Sequence, residues 1–144
     1  MADTYTLPTH LTLEIVTPDK ALVRETVDEV QVPAAEGYLG ILPGHTPLLA
    51  TLQVGQLTYR SGQQTTHLHV AFGFVEILPD RVTVLAQVAE RAEDIDIERA
   101  ESAKRRAEER VTHPTATLDF ERARVAMMKS LIRLQVAQRV RIRG

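Results

Sequence analysis

The sequence predicts a mixed, mainly β plus α protein: an N-terminal antiparallel β-sandwich followed by a C-terminal antiparallel helical hairpin. Three observations carry this, and they coincide near residue 90. Six of seven glycines and six of seven prolines precede it. Residues 1–90 hold ten acids and four bases, net -6, whereas residues 91–144 hold nine acids and thirteen bases, net +4. The apolar period changes there from two to about 3.6, the strand and helix repeats. These place a sandwich at 1–90 and a helical domain at 91–144.

The strands come first. Leu11, Leu13 and Ile15 alternate with Thr12 and Glu14, the pattern of a strand with one buried face. Val30 and Val32 flank Gln31, and Leu57 and Tyr59 flank Thr58. Leu68, Val70 and Phe72 alternate with His67 and His69, and Val82 and Val84 lead into Ala86 and Val88. Turn formers separate the runs at Thr17-Pro18-Asp19, Pro43-Gly44-His45, Ser61-Gly62 and Pro79-Asp80. Short strands about ten residues apart, with nothing helical between them, fit a sandwich or barrel and no βαβ unit.

The helices follow. Ile97, Ala100, Ala103, Ala107 and Val111 recur at helical spacing, with Asp94 or Asp96 as N-cap and Glu101–Arg105 as a favourable pair. Thr112-His113-Pro114-Thr115 breaks the pattern. A second helix, starting near Leu118 with Thr117 as cap, carries Phe120, Ala123, Met127, Ser130, Leu134 and Ala137 on the face expected to meet the first. Burial energy follows apolar area, at about 25 cal/mol per Å², so a seam of alanines and a serine holds weakly. A further apolar set, Met128, Leu131, Ile132, Val136 and Val140, needs other cover: the sandwich, a partner, or both in turn.

Composition narrows the function. With 144 residues, 44% hydrophobic and 25% charged, the chain is expected to fold as a globular protein. It has no cysteine, which excludes a disulfide framework and thiolate chemistry and fits a reducing compartment. No run approaches eighteen apolar residues, and Met1 to His10 lacks the character of an export signal, so a soluble cytoplasmic protein is expected. His67 and His69 have a spacing that suits two ligands of one metal. Without cysteine, a third nearby histidine or an adjacent carboxylate on that strand they read as a solvated polar face, and no metal is expected. There is no G-x-S-x-G elbow and no phosphate-binding G-x-x-x-x-G-K-[ST] loop, so no autonomous active site is expected. Arg105, Arg106, Arg110, Arg133, Arg139, Arg141 and Arg143 make the second half basic. Interleaved glutamates and only six aromatic residues in the chain argue against nucleic acid and for a protein partner.

One stretch is more specific. Glu36-Gly37-Tyr38-Leu39-Gly40-Ile41-Leu42-Pro43-Gly44-His45-Thr46-Pro47-Leu48 reads as a stiff, irregular, apolar connection. It resembles the E-G-x-L-G-I-x-P-G-H-x-P-L signature of the epsilon subunit of bacterial and chloroplast F-type ATP synthases. The resemblance extends through Leu13 to Pro18, Phe72 to Ile77, Val82 to Ala86 and Ile95 to Ala100. It implies a flattened β-sandwich with a helical hairpin, acting as a non-catalytic rotor subunit on the central stalk. That subunit couples ring rotation to ATP synthesis and inhibits ATP hydrolysis through its helices.

By the same resemblance His45, Pro47 and Leu48 face the gamma subunit. Glu36, Gly37 and Tyr38 face the proteolipid c-ring, with Tyr38 standing where some members carry an acid. The hairpin of the family lies folded on the sandwich or extends into the catalytic alpha/beta head, where Arg122, Lys129 and Arg133 would meet an acidic beta segment. Some members bind ATP on the folded hairpin through an I/L-D-x-x-R-A motif, matched here by Ile95, Asp96, Arg99 and Ala100. Glu90, Lys129 and Arg133 occupy further matching positions. Lys129 stands where strong nucleotide binders carry arginine, whose fork it lacks. ATP is then a regulatory ligand and not a required cofactor. Read without the resemblance, Asp96 is an N-cap and Arg99 a surface charge. The implied location is the cytoplasmic face of a bacterial cell membrane, held through the complex, or the stromal face of a thylakoid. A free-standing ATP-sensing module built on the hairpin is the alternative.

Overall fold

A computed structural model describes residues 6–113 and 117–143, with side chains at 6–113 and 120–139. Eight strands come first: β1 (Leu11–Val16), β2 (Ala21–Val27), β3 (Glu29–Ala34), β4 (Gly37–Ile41), β5 (Leu48–Leu52), β6 (Gly55–Ser61), β7 (Gln64–Leu78) and β8 (Arg81–Arg91). A 3₁₀ turn at Ala92–Asp94 leads into α1 (Ile97–Thr112) and α2 (Thr117–Arg143). The sheet runs β2-β1-β8-β7-β5-β3-β4, with β6 bridging β3 and β7. Among the described pairs all are antiparallel except β1–β8, whose parallel register sets Leu13 beside Val82 and Ile15 beside Val84. The expectation of a wholly antiparallel sheet fails at that one ladder, because β1 lies between its hairpin partner β2 and the last strand.

The alternation read from the sequence becomes the core. Leu11, Leu13, Ile15, Val30, Val32, Leu57, Leu68, Val70, Val82 and Val84 are fully buried in one cluster. β7 departs from it in the middle. Leu68 and Val70 face inward before residue 72, whereas Val75 and Ile77 face inward after it, so the buried parity inverts. Phe72 at φ 61 and Gly73 at φ 129 make the inversion, two left-handed residues in succession where extended backbone would keep the alternation. Phe72, expected on the core face with Val70, is therefore turned out of the core. The kink also hands β7 from β6, paired through Gly55↔Val70, to β5, paired from Leu52↔Gly73.

The Glu36–Leu48 run is not one irregular connection. It contains β4, antiparallel to β3 from Val30↔Ile41 to Ala34↔Gly37, and ends on the first residue of β5. As an edge strand it turns only Leu39 and Ile41 inward, and Gly37 and Gly40 break so short an alternation.

Asp96 caps α1, its Oδ1 accepting from the Arg99 backbone N–H at 3.0 Å, which decides between Asp94 and Asp96. The α1 ion pair runs Lys104–Glu108 (3.8 Å) in place of Glu101–Arg105. Ala100 and Ala107 of α1 and Ala123, Ser130 and Ala137 of α2 are buried between the two helices, as the spacing required. The Ser130 hydroxyl donates back to the Ala126 carbonyl (2.9 Å), so it adds no bond between the helices. Thr117, expected as a cap, is the first residue of α2, and its side chain lies outside the described residues, as do Pro114 to Ala116 and the side chain of Val140. The second apolar set divides: Val136 is buried with Ala92, Ile95 and Ala137 while Met128 and Leu131 stay exposed.

Candidate functional site

Two surfaces carry chemistry, one on each half of the outer face of β7. The first lies where α2 crosses the sandwich. His69 and Glu90 are cross-strand partners in the β7–β8 ladder, so their side chains share a face. His69 Nδ1 lies 2.9 Å from Glu90 Oε1. Arg133 of α2 reaches down onto the same carboxylate, donating from Nε to Oε1 at 2.8 Å and from Nη2 to Oε2 at 3.1 Å, a two-pronged grip. Burial pushes the Glu90 carboxyl up, but the hydrogen bonds from His69 and Arg133 and the nearby guanidinium charge outweigh it and hold the group below its ordinary value. His69 is 1% exposed, and its Nε2 has no hydrogen-bond partner.

This corrects the reading of the two histidines. His69 is not on a solvated face; it is covered by the hairpin and bonded to a carboxylate from the neighbouring strand. His67 is part-buried, with its Nδ1 near Gln56 Nε2 (3.0 Å) and Thr58 Oγ1 (3.2 Å) of β6. Among the described residues no group of three potential metal ligands assembles.

One turn before Arg133, the Lys129 ammonium stands 5.4 Å from the centroid of the Phe72 ring. The kink that expelled Phe72 from the core thus supplies α2 with an aromatic platform. Of the residues matching the nucleotide motif, Glu90 and Arg133 are in direct contact. Ile95 packs with Val136, and Ala100 is buried at the seam. Asp96 is occupied as a cap and Arg99 is exposed on the first turn of α1. Arg122 is exposed two turns before Lys129, beside Phe72 at the edge of an open groove.

The second surface is the outer face beyond the kink. Phe74 and Leu85 are direct cross-strand partners, 54% and 52% exposed, and Leu49 of β5 stands two residues along from Thr51, the partner of Phe74. Val16, Thr17 and Pro18 close a shallow, mostly apolar groove beside Phe74 and Leu85. Large apolar side chains clustered on a solvated sheet face mark a docking surface.

The residues expected to face partners sit at opposite ends of β5. His45 bonds through Nδ1 to the Thr46 carbonyl (2.6 Å), Pro47 is exposed, and Leu48 opens β5 opposite Ile77. Leu52 closes the strand beside Ala34, whose other partner Gly37 ends the tight β3–β4 turn. Glu36, Gly37 and Tyr38 are exposed there, and Tyr38 Oη accepts from the Gln56 backbone N–H at 3.1 Å. The sequence reading gave His69 and Phe72 other places, a solvated face and the core, and did not single out Phe74 or Leu85. Leu85 was visible as an apolar residue in phase with Thr83 and Gln87, the polar positions of β8. For the bond of His69 to Glu90 no sequence signal exists, since the partner is a register neighbour 21 residues away.

A sandwich with an exposed apolar face, carrying a helical pair clasped by charge, defines a subunit of an assembly. Comparison with known proteins agrees. Residues 10–92 match the family model of the ATP synthase delta/epsilon chain β-sandwich domain, and residues 93–138 match the model of its long α-helix domain. The ATP synthase epsilon chain of Solibacter usitatus is 50% identical over 133 residues, 92% of this chain and 99% of that one. The ATP synthase epsilon chain of Nitratidesulfovibrio vulgaris is 48% identical over 126 residues, 88% of this chain and 94% of that one. In fold, a chain of the Euglena gracilis mitochondrial ATP synthase (OSCP/F1/c-ring) superposes with a TM-score of 0.80 at 20% identity, covering 97% of this chain and 86% of that one. The chain belongs to the epsilon-subunit family of F-type ATP synthases.

Proposed function

We propose that the chain is a non-catalytic central-stalk subunit that couples rotation of the proteolipid ring to ATP synthesis and restrains ATP hydrolysis through its helices. The observation that carries this is the match at about half identity to epsilon chains across both the sandwich and the hairpin. In this reading the Phe74–Leu85–Leu49 face, with His45, Pro47 and Leu48 at the end of β5 where that strand begins, docks on gamma, and the exposed turn at Glu36, Gly37 and Tyr38 meets the ring. Arg122, Lys129 and Arg133 face an acidic segment of a catalytic beta subunit when the hairpin extends into the alpha/beta head. ATP is a regulatory ligand at Glu90, Ile95, Asp96, Arg99, Ala100, Lys129 and Arg133. No helix among the described residues is long and apolar enough to cross a membrane, which fits attachment to the cytoplasmic membrane face through the complex.

Truncation before Asp94 tests the regulatory half. The shortened chain is expected to retain gamma binding in a pull-down and to raise ATP hydrolysis by the assembled head. Unchanged hydrolysis would remove the inhibitory role.

A further inference from the structure

We propose that Glu90, seated by His69, and Phe72 form the sandwich side of a two-point latch that keeps the hairpin closed by sequestering Arg133 and Lys129. The proposal rests on the reading above only for what the released cations would meet; the latch itself is internal to the chain.

The helices do not secure the closed state by themselves. Their seam is built of alanines and a self-satisfied serine, and of the second apolar set of α2, among the residues with described side chains, only Ile132 and Val136 find cover, against the Ala92–Ile95 turn that leads out of β8. Beyond that apolar cluster, what ties α2 to strands β7 and β8 is polar and directional. Arg133 and Lys129 are four residues apart, so both project onto one face of the helix. Each meets a dedicated group on the sandwich. Arg133 closes a two-pronged grip on Glu90, with side-chain exposures of 19% and 24%, where water competes weakly. Lys129 stands over Phe72, a ring presented only because the backbone there is left-handed.

His69 is the positioning residue. A carboxylate at the end of a long side chain has several rotamers, and His69 Nδ1, buried beneath α2, bonds the oxygen Oε1 that also accepts from Arg133 Nε. Ordering Glu90 in advance spares the latch that entropy when it closes. The closed hairpin thereby withholds two of the three cations that the extended form would offer to an acidic partner, leaving Arg122 outside. Opening requires both points to release, and an acidic surface that binds Arg133 and Lys129 would compete directly with Glu90 and Phe72.

The chain has no native cysteine, so a thiol placed under α2 reports opening. Val136→Cys sits at a fully buried position between α2 and the Ala92–Ile95 turn that leaves β8, and Val75→Cys at a fully buried position in the strand core. In the isolated full-length chain, Glu90→Gln is expected to raise labelling of the first thiol by a thiol reagent roughly tenfold, the value of a charge-assisted grip, and to leave the second unchanged. Phe72→Leu, which keeps an apolar side chain and removes the π face, is expected to raise it about two- to fivefold. His69→Leu should act in the direction of Glu90→Gln, and His69→Asn, whose amide N–H can replace Nδ1–H, should return labelling to within about twofold of the parent. Labelling of Val136→Cys within about twofold of the parent in both Glu90→Gln and Phe72→Leu would overturn the latch. Should Glu90→Gln also speed labelling of Val75→Cys, Phe72→Leu decides alone. No partner subunit or nucleotide enters this assay, so a failed hydrolysis test leaves it intact, and its own failure leaves the stalk reading standing.

Discussion

Gly73 approaches Leu85 so closely across the β7–β8 ladder that a Cβ on it would fall 1.9 Å from the Leu85 carbonyl oxygen. Its φ of 129 also lies where side chains are rarely tolerated. Gly73→Ala must therefore displace strand β8 and not just a flexible side chain. The expected cost is about 3–5 kcal/mol, at the upper end for single substitutions. Gly37→Ala is the control: its φ of 125 is similar but nothing lies within 4 Å, so only backbone strain of about 1–3 kcal/mol is expected. Denaturant unfolding of the two variants separates close approach from strain, and equal losses would contradict the account.

Past the kink, Phe74 and Leu85 cost the sandwich little to change because each is about half exposed. Phe74→Ser with Leu85→Lys is expected to leave the thermal midpoint within a few degrees of the parent. If this face docks on gamma, the same pair should weaken gamma binding by tenfold or more, since apolar anchors dominate interfaces. A double variant that binds gamma as tightly as the parent moves the interface elsewhere.

The seam between α1 and α2 makes an opposite demand. Ala123 and Ala107, level with one another in the antiparallel hairpin, are each 2% exposed, so a larger side chain at either must push its neighbours aside. Ala123→Leu adds three carbons at a buried position and is expected to destabilise the hairpin by about 1–3 kcal/mol despite its greater apolar area. Ser130→Ala, which removes a hydroxyl bonded only to its own helix, should stay within about 0.5 kcal/mol. Helical ellipticity on heating, followed in both variants, checks the order; a stabilising Ala123→Leu would show that the seam is loose.

The domain order, the core strands and the alanine seam were legible because each rests on local periodicity, which a sequence displays directly. Leu11, Leu13 and Ile15 needed no knowledge of their partners to be placed inside. What was not legible depends on pairing. β4 is an edge strand whose alternation is only Leu39 and Ile41, and Gly37 and Gly40 argue against a strand. The kink at Phe72 cannot be read from a residue that normally avoids positive φ. The contact of Glu90 with Arg133 spans 43 residues, and only the position of the helix over the sheet creates it. Glu90 and Arg133 were found through resemblance, which supplied their importance but not their contact. His69 beneath them was found by the fold alone.

That same carboxylate makes the closed hairpin sensitive to acid, with a sign that follows from its environment. Burial raises the Glu90 value, yet the bonds from His69 and Arg133 and the guanidinium charge bring it below the ordinary 4.5. With α2 lifted, Arg133 is gone and the value returns toward 4.5. The closed state therefore has the lower value and gains stability from Glu90 that is complete above 4.5. That gain is lost as pH falls through the lower, closed-state value. Asp28 is likewise held low, first by the Gly62 N–H and then by His10, so the sandwich weakens in acid too. Comparison with Glu90→Gln cancels that background. Carboxyl carbon shifts should give Glu90 a midpoint below 4.5 in the parent, moved upward by Arg133→Gln. Pepsin cleavage within residues 124–139 should accelerate as pH falls below the parent midpoint, and should be faster but nearly flat with pH in Glu90→Gln once the common trend is divided out. A parent midpoint at or above 4.5 would mean that burial outweighs the grip of Arg133, and that neutralising Glu90 closes the hairpin instead of opening it.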